Sequence, residues 1–177
     1  MKNLLILGAG QYGSVVHEIA VAMDCFEKID FLDDNNPIAI GKLQDYVKFA
    51  GAYNAAIVAI GNPKIRLEYI EKLENAGYEI ATLIHPKAYV SPSSTVDVGC
   101  VVEPLAGINA NVVVGKGCLI SMGAIVNHNA VINDGCHIDC GSVVVARRIA
   151  PRESKYEADG TLHNCAAGKL IDGSRRI

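Results

Sequence analysis

The sequence of 177 residues has no excess of positive charge and no long apolar run. Its formal net charge is −3, and its Lys and Arg residues are scattered apart from Arg147-Arg148 and Arg175-Arg176. Since a nucleic-acid-binding domain usually carries a basic patch, we expect no nucleic-acid partner. No apolar run approaches the length of a membrane span, and no secretory signal is visible, so we expect a cytoplasmic protein without a membrane anchor.

The six cysteines lack the spacing of a zinc site, and the sequence predicts no metal. Cys100, Cys118 and Cys136 are each 18 residues apart, whereas the other three show no regular spacing. Because a free cysteine often acts as a small buried apolar residue, we expect these three to stack inside the fold.

What the sequence does contain is a sixfold repeat. Every sixth position from 90 to 144 is Val or Ile, and the position two residues earlier is nearly always small. The ten positions are Val90, Val96, Val102, Ile108, Val114, Ile120, Val126, Ile132, Ile138 and Val144. Such a short period indicates one unit copied many times, with the β-branched residues in a narrow interior. Three hexads would form one triangular coil, and successive coils would stack about 4.8 Å apart as parallel strands.

This pattern predicts a parallel β-helix over residues 84–146. Residues 147–177 show no sixfold pattern and contain several Pro and Gly residues. We therefore expect them to form an irregular C-terminal segment.

Residues 1–83 instead alternate predicted strands with helices, which indicates a small parallel, Rossmann-like α/β domain. A glycine-rich loop at 8–13 follows the first strand, and the next two strands end in Asp33-Asp34 and Gly61-Asn62. Such a loop can present N–H groups to a phosphate, although a plain strand–helix turn is the alternative. We predict a nucleotide or nucleotide-sugar site at this sheet edge. Its candidate residues are Gly8, Gly10, Gln11, Tyr12, Gly13, Asp33, Asp34, Gly61 and Asn62.

The order of these motifs resembles the sialic acid and UDP-amino-sugar acetyltransferase family of hexapeptide-repeat acyltransferases. The glycine loop is followed by F-L-D-D at 31–34, A-I-G-N at 59–62, I-H-P at 84–86 and then the hexads. The resemblance implies a left-handed β-helix and transfer of acetyl from acetyl-CoA to an amino or hydroxyl group of a nucleotide-linked sugar. It also implies that His128 is the catalytic base and that His137 contacts acetyl-CoA.

The sequence departs from the family pattern at three places. Gln11-Tyr12 stands where the family usually has Gly-His, and Asn129 stands where an acidic residue often follows the catalytic histidine. The hexads also stop at Val144, whereas the family continues them to complete the CoA groove. A second function therefore stays open, that of a non-catalytic or regulatory sugar-nucleotide-binding relative that has lost its CoA site.

The ten Val and Ile positions from Val90 to Val144 form what we call the inward ladder. The residues immediately before them are often apolar as well. In a strand such residues should point outward, and exposed apolar rows usually mark an interface. Because closed rings are the expected solution for a heterologous contact, we predict a homotrimer through the β-helix, as the resemblance also implies. The outward residues are Val101, Val113, Leu119, Ile125, Val131 and Val143.

Overall fold

The computed structural model describes residues 2–157 and 162–164. The chain forms two compact units, Met1–Pro86 and Lys87–Ile177. The first is a small α/β unit and the second consists of short strands in stacked parallel sheets, which confirms the predicted fold class. Part of the predicted irregular segment, at 158–161 and 165–177, lies outside the described residues.

A parallel four-stranded sheet in the order β2-β1-β3-β4 forms the centre of the first unit. The strands are β1 (Lys2–Leu7), β2 (Phe26–Leu32), β3 (Ala55–Val58) and β4 (Glu79–Ile80), followed by β5 (Leu83–Ile84). The helices are α1 (Gln11–Ala22), α2 (Tyr46–Phe49) and α3 (Pro63–Asn75), with a 3-10 turn at Leu43–Asp45. Leu4 to Leu7 are fully buried, as expected for a central parallel strand covered on both faces.

Short strands at sixfold intervals build the second unit. They are β6 (Tyr89–Val90), β7 (Thr95–Val96), β8 (Val101–Val102), β9 (Gly107–Ile108), β10 (Val113–Val114), β11 (Leu119–Ile120), β12 (Ile125–Val126), β13 (Val131–Ile132), β14 (His137–Ile138), β15 (Val143–Val144), β16 (Ile149–Ala150), β17 (Ser154–Tyr156) and β18 (Leu162–Asn164). Each strand pairs in parallel with the strand one coil away, as Val113 does with Val131, while β18 pairs antiparallel with β17. Residues of the predicted ladder from Val102 to Val144 are almost completely buried, so their inward position is confirmed.

The ladder continues beyond the end that the sequence indicated. Ala150 pairs with Ile132 and Tyr156 pairs with Ile138, and both residues are buried. The prediction that the β-helix ends near residue 146 was therefore wrong. These coils were missed because Ala and Tyr fill inward positions where the earlier coils have Val or Ile.

The three regularly spaced cysteines form the buried column that their spacing predicted. Each thiol donates to a carbonyl oxygen of the next coil at the same corner: Cys100 to Gly115, Cys118 to Asn133 and Cys136 to Pro151, at 3.0, 3.1 and 2.9 Å. Burial raises the pKa of the Cys118 thiol well above its usual value. The Cys118 thiol therefore stays protonated, and the three thiols together satisfy carbonyl groups along one corner of the prism.

Three corners separate the three faces of the prism. The first corner comprises residues 91–94, 109–112, 127–130 and 145–148, between the β6-β9-β12-β15 face and the β7-β10-β13-β16 face. From Gly99 to Glu153, every sixth residue has a positive φ between 57° and 74°. The second and third corners mostly place glycine there, since glycine adopts this conformation at little cost. The first corner has no glycine at this position and uses Asn111, Asn129 and Arg147 instead, so side chains project from three of its turns.

The predicted outward apolar row is only partly exposed. Val113, Ile125 and Val143 are each about half exposed, at 48%, 47% and 48%, and they lie on the two faces that flank the first corner. Val101 and Leu119 are buried within the chain, so the prediction was wrong for these two residues. Their face, formed by β8 and β11, is covered at these positions, which the sixfold period alone cannot reveal.

Candidate functional site

The glycine loop between β1 and α1 is shaped by close backbone approaches. Gly8 has a φ of +109°, and a Cβ there would lie 2.8 Å from the Ala59 carbonyl oxygen. A Cβ at Gly13 would collide with the Gly8 carbonyl oxygen. Gly10 precedes α1 and has open space around its Cα. The loop therefore requires glycine at positions 8 and 13, while Gly10 leaves the start of α1 accessible to a ligand.

Asp33, at the end of β2, connects this loop to the next one. Its carboxylate accepts hydrogen bonds from the backbone N–H groups of Ala9, Asn35 and Asn36, at 2.8, 2.9 and 2.9 Å. These bonds, above all the one from Ala9, lower the pKa of the Asp33 carboxyl below its usual 3.8. The Asn36 amide donates to the Ala9 carbonyl oxygen at 2.6 Å. Two loops that are distant in sequence are thus fixed against each other, and nothing in the sequence pattern pointed to this role of Asn36.

A groove of about 530 Å³ lies at this sheet edge. Its lining residues are Ala9, Gly10, Asp33, Asn35, Asn36 and Pro37. The structure therefore brings Gly10 and Asp33 together in one groove, as predicted for neighbouring parallel strands.

The other predicted residues of this edge have clear local roles. Asp34 accepts from the Leu43 N–H at 3.1 Å and so orders the segment after β2. Asn62 caps α3 by accepting from the N–H groups of Lys64 and Ile65. The buried Arg66 donates to the Gly61 carbonyl oxygen at 2.9 Å. Gln11 and Tyr12 form the first turn of α1. Direct contact of any of these residues with a substrate stays a prediction.

Asp33→Asn should lower the free energy of unfolding by about 1 kcal/mol at pH 7, because the amide offers one acceptor oxygen for three N–H donors and the site is partly exposed. The lowered pKa means that the stabilisation is complete above the usual carboxyl pKa and is lost as pH falls through the lowered value. Urea unfolding at a series of pH values should show wild type and variant converging in acid. Asp24→Asn, at an exposed residue after α1, is the control. An equal deficit at every pH would contradict this role for the Asp33 charge.

His128 is exposed on the first corner of the β-helix. Its Nδ1 lies 2.8 Å from the Asn129 amide nitrogen, and its backbone N–H donates to the Asn127 Oδ1, also at 2.8 Å. The Asn109 amide, one coil away, approaches the same Oδ1 at 3.4 Å. A set of asparagine side chains therefore holds both the backbone and the ring of His128, with Nε2 directed away from these contacts.

His137 lies on another face, in β14, and is partly exposed. Its Nε2 is 3.0 Å from the Ser121 Oγ and 3.8 Å from the Asp139 Oδ1. Burial raises the pKa of the Asp139 carboxyl, but hydrogen bonds from Lys155 and from the Cys140 N–H, together with the nearby His137, lower it by more. His128 and His137 therefore lie at separate places within one chain, one on the first corner and the other in β14.

No group of three or more His, Cys, Asp or Glu side chains in residues 2–157 and 162–164 is arranged to hold a metal ion. Within the same residues, no helix has the length and apolar character needed to cross a membrane.

Known proteins match the two units in sequence and in structure. The PglD N-terminal domain family matches residues 3–73. The UDP-N-acetylbacillosamine N-acetyltransferase of Bacillus subtilis (strain 168) is 31% identical over 110 residues, which cover 57% of this chain and 51% of that protein. The match thus spans about half the length of this curated relative.

Solved structures cover more of the chain. The acetyltransferase domain of PglB from Neisseria gonorrhoeae FA1090 is 27% identical with a TM-score of 0.78, over 88% of this chain and 85% of that one. The same domain in complex with acetyl coenzyme A is 28% identical with a TM-score of 0.74, over 87% and 84%. PerB from Caulobacter crescentus, in complex with CoA and GDP-perosamine, is 20% identical with a TM-score of 0.71 over 97% and 98%, a likeness of fold alone.

The fold is therefore that of the left-handed β-helix acetyltransferases, with an α/β unit at the N-terminus. The resemblance to the sialic acid and UDP-amino-sugar acetyltransferase family is confirmed, and residues 3–73 are similar to the PglD N-terminal domain.

Proposed function

We propose that this protein transfers the acetyl group of acetyl-CoA to the amino group of a nucleotide-linked sugar. The observation that carries the proposal is the exposed imidazole of His128, whose Nδ1 lies 2.8 Å from the Asn129 amide. A histidine held in one orientation and open to solvent on one nitrogen is suited to act as a general base near neutral pH.

The nucleotide part of the substrate binds the groove of the first unit. The Gly8 N–H already donates to the Leu32 carbonyl oxygen, so the N–H groups for a phosphate are those at the start of α1, at Gly10 and Gln11, where the helix dipole favours an anion. Asp33 forms one wall of the groove, and its lowered pKa keeps it ionised at neutral pH as an acceptor for a sugar or ribose hydroxyl. The groove is open at Gly10, so a ligand can approach the loop without displacing a side chain.

In the chemical step, the sugar nitrogen attacks the thioester carbonyl carbon of acetyl-CoA and forms a C–N bond. His128 accepts the proton that the nitrogen loses, the tetrahedral intermediate collapses, and the C–S bond breaks. The CoA thiolate leaves and is protonated. In the structure the Asn129 amide nitrogen faces Nδ1, which places the ring proton on Nε2. A half-turn of this amide presents its oxygen to Nδ1–H instead, and this is the reactive tautomer, since it leaves the Nε2 lone pair free to accept the proton.

In this proposal His137 contacts acetyl-CoA and not the sugar nucleotide. Its imidazole is held between the Ser121 hydroxyl and the Asp139 carboxylate, which is itself paired with Lys155 at 2.9 Å. This arrangement favours a fixed ring that can donate to a carbonyl or amide oxygen of the pantetheine arm.

A homotrimer through the β-helix is also part of the proposal. Val113, Ile125 and Val143 form exposed rows on the two faces that meet at the His128 corner. Contiguous exposed apolar surface of this kind supports an interface, and its position would put His128 beside a neighbouring subunit. Light scattering of the purified protein at micromolar concentration should give three times the mass of the chain. A monomer over the whole concentration range would exclude this assembly.

We further propose a cytoplasmic location. The described cysteines are all free, which suits a reducing compartment.

The proposed activity is tested by incubating the protein with acetyl-CoA and a panel of amino-sugar nucleotides. Release of the CoA thiol, together with mass spectrometry of the sugar product, reports transfer. Calorimetry with UDP-sugars and with acetyl-CoA, each alone, measures binding separately. Binding of a sugar nucleotide without binding of acetyl-CoA or transfer would instead support the non-catalytic relative.

A further inference from the structure

The first corner of the β-helix differs from the other two in its charge. Among residues 87–157, the first corner contains no Asp or Glu, but it contains Arg147 and Arg148 next to the coil of His128. All acidic residues of this segment lie outside the first corner; they are Asp97, Glu103, Asp134, Asp139, Glu153 and Glu157. The charged side chains of this corner are therefore both cationic, although the whole chain carries a net charge of −3.

Arg147 has a specific position within this corner. It occupies the same slot as Asn129 one coil further along, and its backbone N–H donates to the His128 carbonyl oxygen at 3.1 Å. Its side chain is exposed, and within the part of the chain that the structure describes no carboxylate forms an ion pair with it. By contrast, Arg152 at the second corner pairs with Asp134 and Glu153.

The backbone of Arg147 adds a second observation. Its φ is +62°, a conformation that residues other than Gly and Asn adopt only at a cost. The same position on the other two corners mostly holds glycine, but Leu105 and Glu153 adopt the same conformation there, so the backbone alone does not single out Arg147. What distinguishes Arg147 is an exposed cationic side chain, one coil from His128, without a described carboxylate partner.

We propose that Arg147 binds the sugar-side phosphate of the nucleotide-linked substrate and so positions the sugar amine at His128. This inference rests on the proposed function. Arg147 is one coil, about 4.8 Å, from the turn of His128. In a nucleotide sugar only the sugar ring separates the reacting amine from the diphosphate, whereas in acetyl-CoA the whole pantetheine arm separates the thioester from its phosphates. The short distance therefore favours the sugar nucleotide, and the guanidinium fork matches phosphate oxygens bidentately.

Arg147→Gln is the main test, with Arg152→Gln as a control that removes the same charge from another corner of the same prism. Calorimetry with UDP-N-acetylglucosamine should show a dissociation constant about 10–100-fold higher for Arg147→Gln, from the loss of charge-assisted hydrogen bonds. The constants for acetyl-CoA and for UMP, which lacks the sugar-side phosphate, should change by no more than about twofold. Arg152→Gln should leave all three constants near those of wild type.

Arg147→Gly separates ligand binding from a structural role. Because glycine relieves the left-handed backbone, this variant should raise the midpoint of thermal unfolding by about 2–4 °C. It should nevertheless weaken binding of UDP-N-acetylglucosamine as much as Arg147→Gln does. A variant that is less stable and binds the sugar nucleotide normally would show that Arg147 serves the fold, and would overturn the proposal.

The remaining outcomes distinguish this inference from the proposed function. A higher dissociation constant for acetyl-CoA alone would assign the phosphate to CoA and overturn the proposal. If wild type transfers acetyl but Arg147→Gln binds the sugar nucleotide with unchanged affinity, the inference is overturned and the proposed function is left intact. Weaker sugar-nucleotide binding in Arg147→Gln, with no transfer by wild type, would support the inference while the proposed function fails.

Discussion

Replacement of His128 by alanine is expected to lower the turnover of acetyl transfer about 10²–10⁴-fold, the usual contribution of a general base. The amine must lose a proton as it attacks the thioester, and no other imidazole lies at this corner among the described residues. The dissociation constant of the sugar nucleotide should stay within about twofold of wild type, because the groove proposed to bind it lies in the first unit. Steady-state kinetics and calorimetry measure the two quantities separately.

The fold should tolerate this substitution. Ala110 and Ala146 fill the slot of His128 in the coils on either side, and the His128 side chain is exposed. An unchanged midpoint of thermal unfolding would therefore show that any lost activity is chemical in origin. Full turnover in His128→Ala would mean that the base lies elsewhere and that His128 is a bystander.

The interior of the β-helix could be predicted from sequence because each inward residue contacts its equivalent one coil away. This local repetition imposes the same β-branched residues at every coil from Val102 to Val144. The same argument fails where the residue type changes, and so Ala150 and Tyr156 were missed. It also fails for Val101 and Leu119, because exposure of an outward residue depends on what else in the fold covers its face, and the period is identical on all three faces.

At the candidate sites, position was predictable and contacts were not. Asp33 lies at the strand end where an acidic residue was expected, but its three N–H donors depend on the loop conformation around Asn35 and Asn36. His128 was assigned through the family resemblance, since the sixfold period does not require a histidine at a corner. The proposed role of Arg147 could not be predicted from the sequence, because Arg147 and Arg152 are close in sequence but lie on different corners of the folded chain.

Ile125→Glu should convert the proposed trimer to monomers and abolish acetyl transfer. Ile125 is about half exposed at the centre of the apolar row, between Gly107 and Val143. Its replacement would bury an unpaired carboxylate in every subunit contact, at a cost of about 3–5 kcal/mol each. Analytical ultracentrifugation measures the assembly, and the thiol-release assay measures turnover, which should fall at least about 100-fold if a neighbouring subunit completes the site at His128.

Val47→Glu provides the matched control, since Val47 is also an exposed aliphatic residue but lies in α2 of the first unit. It should remain trimeric and active. Sugar-nucleotide binding should survive in both variants, because the groove at Gly10 and Asp33 lies within one unit of one chain. Monomers of Ile125→Glu with wild-type turnover would show that the catalytic site is complete within a single chain, and a trimeric Ile125→Glu would move the interface to another face.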